Sequence, residues 1–166
     1  MVQLWVNLPT AYKMTQPRYQ ALKAEDIPHV ELPDGQGYVR VIAGDYANTQ
    51  GAAMTYSPLN VWDVRLNHAG VSHYSIPEGH NAMLFIVKGA VHINDSEIAR
   101  QHDMVVLDNH GDTLTLESMG DTLVLILTGE PINEPIAGQG PFVMNTQEEL
   151  QQAFDDYDNG RFGVMN

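Results

Sequence analysis

Residues 71–127 read VSHYSIPEGHNAMLFIVKGAVHINDSEIARQHDMVVLDNHGDTLTLESMGDTLVLIL, and this stretch decides the fold. It is a run of short apolar segments: Val71 to Ile76, Ala82 to Val87, Ala90 to Ile93, Met104 to Leu107, Thr113 to Glu117 and Thr122 to Leu127. Turn chemistry separates them, namely Pro77 with Gly79, Lys88-Gly89, Asn94-Asp95, His110-Gly111-Asp112 and Gly120-Asp121. Gly reaches positive φ without a steric cost, and Asn and Asp tolerate it, so each break is a place to reverse the chain. Many short strands with no helical period between them predict an antiparallel β-sandwich or barrel and argue against a parallel α/β sheet.

Working outward, Tyr38 to Ile42 and Val61 to Leu66 are β-branched and aromatic runs bounded by Gly, Pro and Asn, and read as strands. Gln3 to Leu8 sets Leu4, Val6 and Leu8 against Gln3, Trp5 and Asn7, a period of two that predicts an opening strand closed by Pro9. Gln20 to Glu25 has the composition of a short helix. Downstream, Thr146-Gln147-Glu148-Glu149 matches the capping box, in which the Thr hydroxyl and the Glu carboxylate each satisfy a free backbone N–H. Leu150, Phe154 and Tyr157 then fall on one stripe, with Gly160 as the stop. The expected architecture is all-β, a single barrel or sandwich with a short C-terminal α-helix lying against the β body. The expected segments are 1–24 (opening strand and linker-like stretch), 25–145 (barrel) and 146–166 (helix and tail).

The chain has 166 residues and a mass of 18.4 kDa. A folded chain of this size exposes roughly 8,000 Å² of about 27,000 Å², enough burial for one good core. Lys+Arg 8 against Asp+Glu 21 leaves a net charge of -13, which disfavours nucleic acid and anionic membrane surfaces, both bound through clustered basic residues. Cysteine is absent, so disulfides, thiolate metal sites and cysteine nucleophiles are excluded. The longest apolar runs, Met83 to Val87 and Thr122 to Thr128, are too short to span a bilayer. The amino terminus lacks a basic flank and a small-residue cleavage site, so the expectation is a cytoplasmic location.

Leu4-Trp5-Val6-Asn7-Leu8-Pro9, Lys13-Met14 and Pro17-Arg18-Tyr19-Gln20 resemble the segment that joins the two halves of pirin-family proteins. Gly129-Glu130-Pro131-Ile132, Glu134-Pro135-Ile136 and Gly140-Pro141-Phe142-Val143-Met144-Asn145-Thr146 resemble that family's closing signature. Pirins are bicupins, two β-barrels in one chain, and the resemblance covers only the C-terminal half. It implies a cupin (jelly-roll) fold. It also implies that the family's three His and one Glu metal ligands belong to the other half, and with them the iron-dependent activities, quercetin dioxygenase chemistry among them.

A metal-binding cupin sets two His at alternate positions of one strand, since side chains at i and i+2 share a face. Aligning Gly89 with the glycine that closes the family's first motif puts its Glu near Ala82 and its two His near Ser75 and Pro77, or Ile76 and Glu78. None of these is a ligand set. No His-X-His pair exists, and His68, His73 and His80 remain as weak candidate metal ligands, more simply read as turn or surface histidines. His92 and His110 read as polar-face or loop residues. No serine has the Gly-X-Ser-X-Gly context of a nucleophile elbow. Gly35-Gln36-Gly37 and Gly138-Gln139-Gly140 lack the lysine and strand-to-helix setting of a phosphate cradle.

The functional expectation is therefore a ligand- or protein-binding module without catalysis or a cofactor of its own. Trp5, Tyr19 and Tyr74 are its ligand or interface candidates, and a small aromatic ligand or a protein partner is what they would take. The competing expectation is a cupin dioxygenase, or half of one, using iron or another divalent transition metal. Lacking its companion barrel, such a domain would expose an apolar face, so a homodimer is expected, with the Gln3 to Leu8 strand a candidate for exchange.

Overall fold

The computed structural model describes residues 2–162, whose contacts group into two compact units. The larger, residues 19–131, is the β body. Its six-stranded sheet runs in the order β1 (His29–Glu31), β2 (Gly37–Ala43), β5 (Leu59–Leu66), β12 (Thr122–Gly129), β7 (Asn81–Lys88) and β10 (Met104–Val106). A four-stranded sheet runs β6 (Val71–Ser75), β11 (Thr113–Ser118), β8 (Ala90–Ile93) and β9 (Glu97–Arg100). All the ladders in both sheets are antiparallel. A small ribbon, β3 (Asp45–Tyr46) with β4 (Thr49–Gln50), follows β2.

Alternation along each strand sends one face inward. In β2 the odd positions Gly37, Val39, Val41 and Ala43 are buried, and in β12 the even ones, Val124 and Ile126 among them, are. The inner faces of both sheets contribute to one core, in which Val39, Val64, Leu84, Ile86, Leu116 and Ile126 are fully buried. Each such side chain contributes about 1.5–3 kcal/mol relative to an exposed one. Tyr46, Trp62 and Tyr74 form an aromatic cluster against this core, with Tyr46 and Trp62 edge to face at 5.2 Å.

The second unit comprises residues 1–18 and 132–166, of which 2–18 and 132–162 are described. It holds α1 (Thr10–Lys13), the hairpin β13 (Ala137–Gln139) and β14 (Phe142–Met144), and α2 (Gln147–Asp158). The capping box forms as expected: Glu149 N donates to Thr146 Oγ1 at 3.2 Å, and Thr146 N donates to Glu149 Oε2 at 3.0 Å. Leu150 and Ala153 are buried, and Phe142 of β14 meets Phe154 of α2 edge to face at 5.0 Å. Gly160 sits at φ +67 just past the helix, as a helix stop requires. Residues 132–145, assigned from the sequence to the barrel, group with α2 in their contacts.

Two expectations need correction. Gln3 to Leu8 is not a strand: period-two alternation prepares a face, but a strand also needs a partner ladder, and none is paired with it among the described residues. The helix expected over Gln20 to Glu25 is only a single 3-10 turn at Ala24–Asp26. So short a segment has too little burial to offset helix nucleation.

Candidate functional site

A cupin is expected to act from between its sheets, so the inner faces are the first place to look. Along β2, β5, β7 and β12 the inward positions are Val39, Val41, Trp62, Val64, Ala82, Leu84, Ile86, Val124 and Ile126. From the facing sheet come Tyr74, Leu114, Leu116, Val91 and Ile93. Among the described residues the buried positions of these faces offer no imidazole and no carboxylate; their polar side chains are hydroxyls and the Trp62 indole N–H, with the half-buried Asn60 amide at the end of β5 donating to Thr128 Oγ1 at 2.9 Å. This donor set does not fit a transition-metal centre, which needs imidazole, carboxylate or thiolate ligands.

Tyr74, a ligand or interface candidate by sequence, lies in this core at 2% exposure. Burial raises its phenol pKa well above the ordinary value, and the phenol has Ser72 beside it without a well-formed hydrogen bond. Trp5 and Tyr19 differ: their side chains are 72% and 91% exposed.

At the rim of the β body is a small polar pocket of about 130 Å³, lined by Ile76, His80, Asp108, His110 and Thr113 among others. His80 places a buried Nδ1 here with no hydrogen-bond partner among the described residues. Asp108 Oδ1 accepts from His110 N at 3.0 Å and lies 2.7 Å from His110 Nδ1. These hydrogen bonds, with the adjacent imidazole charge, hold the Asp108 carboxyl below the usual carboxylate range.

His68, His73 and His80 are not brought together as a ligand group among the described residues. His73 lies on the outer face of β6, where its Nδ1 is 3.0 Å from Thr115 Oγ1. The one group of potential metal ligands among the described residues is instead His92, Asp95 and Glu117. The sequence reads His92 only as a polar-face or loop residue. His92 and Glu117 are far apart in the chain, so strand register alone makes them neighbours.

The second unit has an apolar cleft of about 550 Å³, lined by Met14, Pro17, Phe142, Met144, Ala153 and Phe162 with several polar neighbours. Lys13 is held at its edge, its Nζ donating to Asn7 Oδ1 at 2.7 Å and to the Val143 carbonyl at 3.3 Å. Glu134 Oε2 accepts from the Thr10 hydroxyl and from Thr10 N, each at 2.7 Å, and these bonds depress its pKa. No helix among the described residues is long and apolar enough to cross a membrane.

The family model described as the pirin C-terminal cupin domain matches residues 61–163. A Pseudomonas aeruginosa protein provisionally named a quercetin 2,3-dioxygenase is 49% identical over 98% of this chain and 56% of its own length. Pirin-1 of Arabidopsis thaliana is 38% identical over 98% of this chain and 58% of its own. Among solved structures, one titled quercetin 2,3-dioxygenase from Acinetobacter baumannii superposes with a TM-score of 0.91 at 44% identity, covering 98% of this chain and 56% of that one. The chain thus spans little more than half the length of these relatives.

Proposed function

The chain belongs to the pirin family through its C-terminal cupin domain, and on that premise we propose that it is a non-catalytic binding and assembly module. The observation that carries this reading is the apolar interior: the buried strand positions on the inner faces of both sheets offer no imidazole or carboxylate among the described residues. Chemistry of the cupin type needs such ligands around an open coordination position. Here that volume is taken by packed side chains, the aromatic cluster of Trp62 and Tyr74 included.

The assembly half of the proposal rests on the second unit. Many of the chain's exposed large apolar side chains lie there, including Leu4, Trp5, Val6, Met14 and Phe162. Exposed apolar side chains concentrated in one unit are what an interface would cover. The occupant we propose is a second copy of the chain, in an isologous dimer that uses the extended segment Gln3 to Leu8. Native mass spectrometry across a range of concentrations tests it. A species of about twice 18.4 kDa is expected, weakened by Trp5→Ser; a monomer at every concentration overturns it.

The second reading is a cupin dioxygenase, or half of one, completed by a separate metal-bearing barrel. It is favoured by the 44% identity to the Acinetobacter baumannii structure titled quercetin 2,3-dioxygenase.

A further inference from the structure

The outer face of the four-stranded sheet carries a side-chain group that neither core packing nor the proposed assembly uses. His92 on β8 and Glu117 on β11 are register partners, and His92 Nδ1 lies 3.9 Å from Glu117 Oε2. Asp95, in the turn between β8 and β9, adds a second carboxylate, and the three ligand atoms all lie within 4.8 Å of one another. Asn94, next to Asp95, is pinned to β11 from both directions. Its N donates to the Thr115 carbonyl at 3.0 Å, and Thr115 N donates to its Oδ1 at 2.8 Å. The turn is therefore tied to the strand that bears Glu117.

Apolar neighbours flank the group: Val71 is the partner of Glu117 on the β6 side, and Ile98 is the partner of His92 on the β9 side. Among the described residues no Lys or Arg forms an ion pair with Asp95 or Glu117, so the two carboxylates have an imidazole beside them and no ammonium or guanidinium. A cation is the natural complement.

We propose that His92 Nδ1, the Asp95 carboxylate and the Glu117 carboxylate form a binding site for a divalent transition-metal ion, of the class of Zn²⁺, Mn²⁺, Co²⁺ or Ni²⁺. One imidazole nitrogen with two carboxylates suits these ions, whereas Ca²⁺ seeks about six to eight oxygens and Mg²⁺ an oxygen-rich octahedron. Bonds of about 2.0–2.2 Å require the three side chains to close in by small rotations, which exposed side chains on a sheet surface can make. Three protein ligands leave a coordination position open to water or an outside ligand. The bound ion clamps the β8–β9 turn to β11.

Calorimetric titration of the tag-free chain with ZnCl₂ and MnCl₂, paired with thermal melts, tests the proposal. One ion per chain is expected, with the melting midpoint raised by roughly 5–10 °C at about a hundredfold excess over Kd. His92→Gln, Asp95→Asn and Glu117→Gln should each weaken binding at least about tenfold, while leaving the metal-free melting midpoint essentially where it was. His73→Gln, on the same sheet, should bind as the parent does, and CaCl₂ should produce no shift. Binding that survives His92→Gln, CaCl₂ binding as tight as ZnCl₂, or no binding below millimolar metal overturns it. None of these readouts depends on oligomeric mass or on turnover, so the site stands or falls apart from the assembly reading.

Discussion

Arg40 on β2 and Asp63 on β5 are register partners, and the Arg40 guanidinium Nη1 lies 3.2 Å from Asp63 Oδ2 on the outer face of the six-stranded sheet. Arg65 approaches the other carboxylate oxygen, Nε to Oδ1, at 3.4 Å. Asp63 is only 7% exposed, so both guanidiniums bear on a largely desolvated charge. Removing Arg40 leaves this mostly buried carboxylate with the half-exposed Arg65 as its remaining ion-pair partner among the described residues, and a buried charge that loses part of its pairing is costly. Arg40→Met is therefore expected to destabilise the fold by about 1–2 kcal/mol, with Arg65 still beside the carboxylate. Arg40→Met with Asp63→Asn should lose less than the sum of the two single changes, as a double-mutant cycle in urea would read.

Tyr74 links burial to alkaline stability. Its phenol pKa is raised first by desolvation, so in the folded state it stays protonated where the unfolded chain's tyrosines ionise. The unfolded state then binds fewer protons, and stability falls as pH rises above about 10, by up to ~1.4 kcal/mol per pH unit for one group. Tyr74→Phe should flatten this decline in urea midpoints taken between neutral and alkaline pH. Tyr46, raised by burial as well, leaves a residual slope.

Gly89 joins β7 to β8 at φ +82, and a Cβ there would sit 2.6 Å from Thr122 Oγ1 and 2.8 Å from the Asp121 carbonyl. Gly89→Ala combines a left-handed backbone with a clash that is partly against main chain. It should cost roughly 2–4 kcal/mol in a thermal or urea melt.

Thr146→Ala removes the acceptor for Glu149 N at the start of α2. The expected loss is about 1 kcal/mol. Thr146→Ser, which keeps the oxygen, should restore most of it.

The β body was largely legible because its strands alternate over four to eight residues and end at Gly, Asn, Asp or Pro. Ala90–Ile93, for example, has the same bounds in sequence and structure. The β9 strand, EIAR, was not: two of its four residues are charged, because on a short edge strand only Ala99 is buried. Gln3 to Leu8 shows the converse failure, a good strand pattern with no partner to pair with. The pairing of His92 with Glu117 could not be read either, since it depends on the register of β8 against β11, which no local pattern encodes. The burial of Tyr74, a ligand or interface candidate by sequence, was unread for a related reason: period two says that faces alternate, and packing decides which face is inside.

Quercetin consumption by the purified chain, reconstituted anaerobically with Fe(II) and then exposed to air, tests the non-catalytic reading most directly. With no imidazole or carboxylate at the buried strand positions of the interior among the described residues, the account predicts consumption no faster than Fe(II) alone in buffer, for the parent chain and for His92→Gln alike. Metal-dependent turnover by the parent chain, whether kept or lost in His92→Gln, would contradict it.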